Sequence, residues 1–388
     1  MFIGSLSVQN FRNHTDTAVE LSPSVNFFIG DNAQGKTNLL EAIFLTCVGR
    51  GWRTRKDREM IKFDSDTARV KATATKSYGD AEVEIALDRH NKKSISINKI
   101  PVQKMGELMG QINCIFFSPD ELRLIKEAPA DRRRFLDIDI SQLDKVYFYS
   151  LLRYSKILAQ RNSLLKTTTE DILRGLDIWD EELAKEGARI IKKRLDFIKL
   201  IRANIGDVHR FLTNGKEEID ISYEGLIDVS DDLELTEIET ILRERIRIAR
   251  DKDLQLRTTS IGPHRDDLKI QLDGKDVRTY ASQGQQRTVA LSLKLAELGI
   301  FEKLVGERPI LLLDDVLSEL DDGRQSRLLE FIKGGQAILT TTGSQSSQNK
   351  MFHVEHFGVT TDIRFFVIEN GSIKGNYGSD ESAQTSTP

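Results

Sequence analysis

The sequence predicts an α/β protein, a mixed sheet with flanking helices, interrupted by an inserted and mainly helical arm. Three observations carry that prediction. Short apolar runs bounded by turn residues dominate residues 1–120. Helical periodicity with almost no strand signal takes over from about Ala130 to Arg210 and resumes in LTEIETILRERIRIARDKDL. From Thr258 onward, strand and helix patterns alternate again. The expected division is a head of residues 1–120 plus 258–372, an arm of 121–257, and a polar, disordered tail of 373–388.

Taken in order, residues 2–9 and 25–29 read as strands, and 37–47 as a helix with apolar residues at helical spacing. AEVEIAL and KSISINK, between Arg69 and Ile97, alternate as antiparallel strands do. INCIFFSP is an apolar strand ended by Pro119. In the insertion, YFYSLLRYSKILAQRNSLL is one helix and IWDEELAKEGARIIKKRLDFIKLIRANI a longer second. IDISY is a short strand, and LTEIETILRERIRIARDKDL a third long helix. These helices lack sustained heptads, which predicts a short packed arm instead of a long coiled coil. DDLKIQLDGKDV is a hairpin around Asp273-Gly274. ASQGQQRTVALSLKLAELGIFEKL is a helix opened by a polar turn, and PILLLDD a buried strand. DGRQSRLLEFIKGG is a helix with a glycine stop, and QAILTTT a strand.

The composition bounds the function. There is no run of 18 apolar residues for a transmembrane helix, and MFIGSLSVQNFRNH has no signal-peptide pattern. Two cysteines, Cys47 and Cys114, make no disulfide framework, which fits a cytoplasmic protein with no membrane partner. The net charge of −4 excludes a generally basic nucleic-acid coat, so any DNA contact must use local patches.

The first chemical motif is GDNAQGKT, running Gly30, Asp31, Asn32, Ala33, Gln34, Gly35, Lys36, Thr37, with Asn38 next. Strand before and helix after make it a P-loop. Its glycines let backbone N–H groups turn toward an anion at a helix N-terminus. Lys36 reaches the β- and γ-phosphates of a nucleoside triphosphate, and the Thr37 hydroxyl ligates Mg²⁺. The second motif is PILLLDD. Asp314 and Asp315 emerge at the carboxyl end of a buried strand, where α/β sheets bind ligands. Asp314 suits a Mg²⁺ ligand beside Thr37, and Asp315 is placed to orient or deprotonate the attacking water. The third is SQGQQ, with Ser282, Gly284 and Gln285 at a helix start. It is either a second anion cradle or an N-cap by Ser282.

The order P-loop, long insertion, SQGQQ, ILLLDDVLSELD resembles the ATP-binding-cassette ATPases of the structural-maintenance-of-chromosomes type. NFRNH (10–14), GRGWRT (49–54), FSPDEL (117–122) and GPHRDDL (262–268) are similar to the RecF family of bacterial recombination mediators, over nearly the whole chain. The resemblance implies that ATP and Mg²⁺ are the cofactors, and that Arg12 joins the nucleotide site. SQGQQ becomes the signature motif and Ser318–Asp321 the D-loop. It implies weak, DNA-dependent ATP hydrolysis as the switch of an ATP-dependent homodimer. Each subunit's signature turn would complete its partner's site. The dimer would clamp DNA, duplex and single-strand/duplex junctions, and support recombinase loading with RecR and RecO in repair, replication restart and the SOS response.

Some features depart from the cassette pattern. Aspartate 315 stands where glutamate is usual. Thr340, Thr341 and Thr342 stand where a switch histidine belongs, and Ser118 and Asp120 where a Q-loop glutamine belongs. An alternative is the ATPase subunit of a membrane transporter, and a third reading is a P-loop kinase that leaves SQGQQ without a purpose. Arg50, Arg53, Arg55, Lys56 and Arg58, with Trp52 among them, form the densest basic run. Arg50, Arg53, Arg55 and Lys56 are the DNA-binding candidates. Arg132–Arg134 and Lys192–Arg194 read as solvated faces able to touch phosphate. His264 reads as structural or as coupling the lobes. His353 and His356 lack companions for a metal.

Overall fold

Four neighbouring strands of one sheet are buried at every residue, as a sheet covered on both faces requires. The computed structural model describes residues 1–54, 56–90, 92–119, 122–167, 171–225, 232–342 and 362–378. Along the chain lie β1 (Phe2–Phe11), β2 (His14–Glu20), β3 (Val25–Ile29), α1 (Lys36–Val48), β4 (Thr67–Thr75), β5 (Ala81–Asp88), β6 (Lys93–Ile97), β7 (Ile100–Pro101) and β8 (Cys114–Phe117). Next come α2 (Leu122–Lys126), α3 (Pro129–Leu143), α4 (Lys145–Leu164), α5 (Asp171–Thr213), β9 (Ile219–Glu224), α6 (Leu235–Ile248) and α7 (Arg250–Leu256). The chain closes with β10 (Asp267–Leu272), β11 (Lys275–Asp276), α8 (Val277–Tyr280), α9 (Gln283–Val305), β12 (Ile310–Leu313), α10 (Asp322–Phe331), β13 (Ala337–Thr341), β14 (Ile363–Glu369) and β15 (Ser372–Gly378).

Two compact units result. The first comprises Met1–Glu121, Phe211–Thr213 and Glu297–Pro388, and the second Leu122–Arg210 and Asn214–Ala296. The first unit holds two six-stranded sheets. One is antiparallel, in the order β2-β1-β4-β5-β6-β7. Its central strands alternate buried and half-exposed residues, the signature of one face on a core. The other runs β15-β14-β3-β13-β12-β8, parallel from β14 to β8 with β15 antiparallel at the edge. The parallel order brings the carboxyl ends of β3, β12 and β13 together, and the two phosphate motifs with them. The second unit combines helices α2–α8 and the first part of α9 with a small sheet, β11-β10-β9. Asp273 and Gly274, at φ 49° and 75°, turn the β10–β11 hairpin.

The structure differs from the sequence reading at four places. Compactness assigns residues 258–296 to the second unit, because β10 pairs with β9 along its whole length. The helix expected from Leu235 breaks at Ala249 into α6 and α7. A further helix, α3, precedes α4, and the two separate where the Asp144 carboxylate accepts the Val146 and Tyr147 N–H groups as an N-cap. Residues 373–378, expected in the disordered tail, belong to β15, whose pairing with β14 is set by the Asn370-Gly371 turn. Residues 379–388 lie outside the described residues.

Candidate nucleotide site

The P-loop links the fully buried β3 to α1. Gly35, at φ 115°, is the N-cap of α1 and supplies no side-chain cap, so the first N–H groups of the helix stay available to an anion. A side chain there would meet Asn13 Oδ1 at 2.7 Å, and one at Gly30 would collide with the Ile368 carbonyl oxygen. Lys36 is almost buried, and its Nζ donates to the carbonyl oxygens of Gly30 at 2.6 Å and Asp31 at 2.8 Å. Burial lowers its pKa, against the pull of Asp315, Asp314 and Asp31. The loop is braced from outside by residues distant in sequence. Asn13 Nδ2 and the Gly371 N–H both donate to the Gln34 carbonyl oxygen, and the Asn370 N–H donates to Gln34 Oε1. His14, fully buried, sits 3.1 Å from the Gly35 carbonyl oxygen. Asp31, Asn32 and Ala33 remain exposed.

At the other end of the site one carboxylate oxygen joins three strands' worth of sequence. Thr37 Oγ1 donates to Asp314 Oδ1 at 2.7 Å, and Thr340 Oγ1 donates to the same oxygen at 2.8 Å. The Asp315 N–H donates to Thr340 Oγ1 at 2.8 Å. Thr340, at the end of β13 where the switch histidine was sought, thus fixes both aspartates. Asp315 has a left-handed backbone, φ 50°, and its buried Oδ1 has no hydrogen-bond partner among the described residues. Burial pushes its pKa up; Ser318 opposes that, Asp314 adds to it, and Lys36 opposes it again. Thr37 and Asp314 offer hard oxygen ligands of the kind Mg²⁺ takes, together with phosphate and water. The described residues contain no cluster of three or more His, Cys, Asp or Glu side chains suited to a metal. The orphaned Asp315 oxygen and the glycine-lined loop fit a nucleoside triphosphate with Mg²⁺ at this place.

The wall beside α1 is built on Glu41, fully buried. Arg12 grips it in a bidentate pair, Nε to Oε2 at 2.9 Å and Nη2 to Oε1 at 3.1 Å. Arg53, a DNA-binding candidate, is exposed and donates from Nη2 to Asn38 Oδ1 at 3.1 Å, and its Nε lies 3.9 Å from Glu41 Oε2. Asn38 Nδ2 in turn donates to Asn13 Oδ1. Arg50 and Lys56 are exposed, Lys56 being 3.7 Å from Glu59, and Arg55 lies outside the described residues. Glu41 and the Asn370-Gly371 hairpin escaped the sequence reading, and so did the contacts that Asn13 and Thr340 make. That Asn-Gly pair, between alternating residues, was a legible signal; a buried glutamate in an apolar helix was a weaker one.

The SQGQQ turn, Arg132–Arg134, Lys192–Arg194 and His264 belong to the second unit, and His353, His356 and Asp120 lie outside the described residues. The N–H of Ser282 donates to Gln285 Oε1 at 2.8 Å and the Gln285 N–H to Ser282 Oγ at 3.3 Å, a reciprocal capping box at the start of α9. Ser282, Gln283 and Gly284 are exposed, and a Cβ on Gly284 would meet no described atom within 4 Å. The turn is therefore an N-cap and also an open N-terminus of a long helix. Arg132 and Arg194 are not on a solvated face. Both are buried, Arg132 paired with Asp267 at 2.5 Å and Arg194 with Asp137 at 2.8 Å, because partners from other elements neutralise them. His264 accepts the Tyr154 hydroxyl at Nδ1, 2.7 Å, and donates from Nε2 to the Thr259 carbonyl oxygen.

The family model described as the RecF/RecN/SMC N-terminal domain matches residues 2–362. The DNA replication and repair protein RecF of Lachnoclostridium phytofermentans is 41% identical over 377 residues, covering 97% of this chain and 100% of its own. RecF of Clostridium botulinum is 41% identical over 96% of this chain and 100% of its own. A solved structure of the recombination mediator protein RecF with ATP, of the RecFOR pathway, matches with a TM-score of 0.86 at 38% identity, over 96% of each chain. An Smc head bound to the C-terminal winged-helix domain of ScpA shares the fold, with a TM-score of 0.56 at 14% identity.

Proposed function

The chain belongs to the RecF/RecN/SMC N-terminal domain family and, within it, to the RecF proteins, and from that premise we propose that it is an ATP-driven DNA-binding clamp of replication and repair. The observation that carries this reading is the junction at Asp314 Oδ1. It ties the P-loop hydroxyl of Thr37 to Thr340, and through Thr340 to the backbone of Asp315. Bound ATP with Mg²⁺ supplies the phosphoanhydride and its charge neutralisation. Lys36 provides the positive charge for the β- and γ-phosphates. Thr37 and Asp314 are the residues that would hold Mg²⁺. Asp315, its pKa raised by burial, takes or orients the proton of the attacking water. Gly30–Asn38 cradle the phosphates, and Arg12, held on Glu41, lies beside the loop. One methylene shorter than the usual glutamate, Asp315 fits slow turnover.

Two copies close face to face on two ATP molecules, each exposed turn at Ser282, Gly284 and Gln285 capping the γ-phosphate in its partner. The closed homodimer holds DNA at single-strand/duplex junctions with exposed cations such as Arg50 and Lys56. DNA binding stimulates hydrolysis, and hydrolysis opens the clamp. RecR and RecO are the partners with which it promotes recombinase loading in the cytoplasm, in recombinational repair, replication restart and the SOS response. A transporter ATPase subunit is not favoured, since the relatives are named for replication and repair.

The test is complementation. Lys36→Ala and Ser282→Arg are each inactive, yet a mixed dimer carries one site with both defects and one with neither. Steady-state hydrolysis should return on mixing, with dimer mass confirmed by light scattering. A mixture that forms mixed dimers and stays inactive would refute the composite site.

A further inference from the structure

The signature turn is exposed on its outer side and held from within, through Gln285, by side chains that the proposed mechanism does not use. Gln285 is fixed at both ends of its amide. Its Oε1 accepts the Ser282 N–H at 2.8 Å, and its Nε2 donates to Glu217 Oε1 at 3.0 Å. A flipped amide would set oxygen against the carboxylate and nitrogen against an N–H, so Glu217 dictates the orientation that caps the turn. The other oxygen of Glu217 lies 3.3 Å from Nε2 of His209, a side chain with no exposed surface. His209 Nδ1 is 2.8 Å from Ser292 Oγ. The single proton of that hydroxyl goes to the Thr288 carbonyl oxygen at 2.8 Å, so Nδ1 is the donor to Ser292, and Nε2 attracts the Glu217 carboxylate, as a charge pair and not a hydrogen bond, when the ring carries both protons. The chain leaves α9 at its N-cap, crosses to the end of α5, and re-enters α9 at Ser292.

We propose that His209 and Glu217 are positioning residues for the signature turn, setting through Gln285 how Ser282 is presented to the nucleotide held by the partner subunit. Their contribution therefore appears at the partner's site and leaves the subunit's own P-loop untouched. A displacement on the order of 1 Å at a reacting centre costs about a hundredfold in rate, so loss of the relay is a rate defect. The inference rests on the composite site proposed above.

The test uses the full-length protein and ATP itself. Glu217→Ala cuts the relay at a partly exposed turn residue, and His209→Phe cuts it one step further back. Glu217→Ala should bind ATP as a monomer within about twofold of wild type while hydrolysis falls roughly ten- to a hundredfold. Mixed with Lys36→Ala it should regain activity, and mixed with Ser282→Arg it should not. Adding Glu217→Ala to Gln285→Ala should cost nothing further, since both act through one amide. His209→Phe should fall in the same complementation class; if that variant fails to fold, Glu217→Ala decides alone. Near-wild-type hydrolysis by Glu217→Ala, or its recovery with Ser282→Arg but not with Lys36→Ala, overturns the relay. Lys36→Ala mixed with Ser282→Arg is the control: if that pair fails to recover, the composite site falls and the relay with it. If it recovers and Glu217→Ala does not follow it, the relay alone is wrong.

Discussion

At the scale of single residues, Asp315 is under the most tension. Its backbone sits at φ 50°, its buried Oδ1 lacks a partner among the described residues, and burial beside Asp314 raises its pKa. A carboxyl whose folded pKa is raised stabilises the protein below its ordinary value of 3.8, and that contribution is lost as pH rises through the folded value. At neutral pH the charged form is the one the site disfavours. Asparagine keeps the shape, tolerates the left-handed backbone and removes the charge. Asp315→Asn should therefore melt no lower than wild type at pH 7 without nucleotide. Its hydrolysis should drop about 10²- to 10⁴-fold, and ATP should lock the dimer closed. Calorimetry and light scattering check the two halves. A destabilised variant would show that the carboxylate is needed for structure.

At the scale of elements, the second unit is held by charges that the sequence displays as if they were solvated. Arg161, with no exposed surface, pairs with Asp180 at 2.6 Å and Asp253 at 2.7 Å, joining α4, α5 and α7. Nearby, His264 fastens the segment before β10 to α4 through Tyr154. Burial lowers the His264 pKa from 6.5 to about 4. A group depressed in the fold contributes stability that is intact above its ordinary value and is lost as pH falls toward the folded one. The window is therefore pH 6.5 down to about 4. Wild type should lose on the order of 3 kcal/mol across it from this group. His264→Gln, which cannot titrate, should lack that part of the slope. Chemical denaturation at several pH values reads it, and an unchanged slope in the variant would count against the buried neutral imidazole.

At the scale of the whole molecule, the proposed DNA binding by a chain of net charge −4 has to use local cations. Arg50, Arg53 and Lys56 are all exposed, and Arg50 and Lys56 can be changed without touching the Arg53–Asn38 hydrogen bond beside the P-loop. Binding should weaken steeply with salt, log affinity falling by about 0.9 per phosphate contact for each unit of log salt. Arg50→Ala with Lys56→Ala should reduce affinity evenly across sequences and flatten that slope by about one to two. Fluorescence anisotropy over a salt series measures both, and an unaltered slope would return these residues to the solvated surface. Arg53→Ala should instead disturb nucleotide binding, because it removes a donor from Asn38 next to Thr37.

The P-loop and the aspartate strand were legible in the sequence because each is a single strand or turn whose chemistry is set within a few residues, whereas SQGQQ alone was legible only as the start of a helix. The Asp273-Gly274 hairpin was legible for the same reason. What the sequence could not decide was which distant groups meet. Thr37 and Asp314 are 277 residues apart in the chain, and only the strand order β3-β13-β12 brings them, with Thr340, to one oxygen. The basic residues show the same limit. Arg132 and Arg194 look like any exposed cation until folding sets Asp267 or Asp137 against them. A backbone motif is specified by local torsions, whereas the role of a charged side chain is decided by burial and by its partner. Both of those exist only after tertiary contacts form.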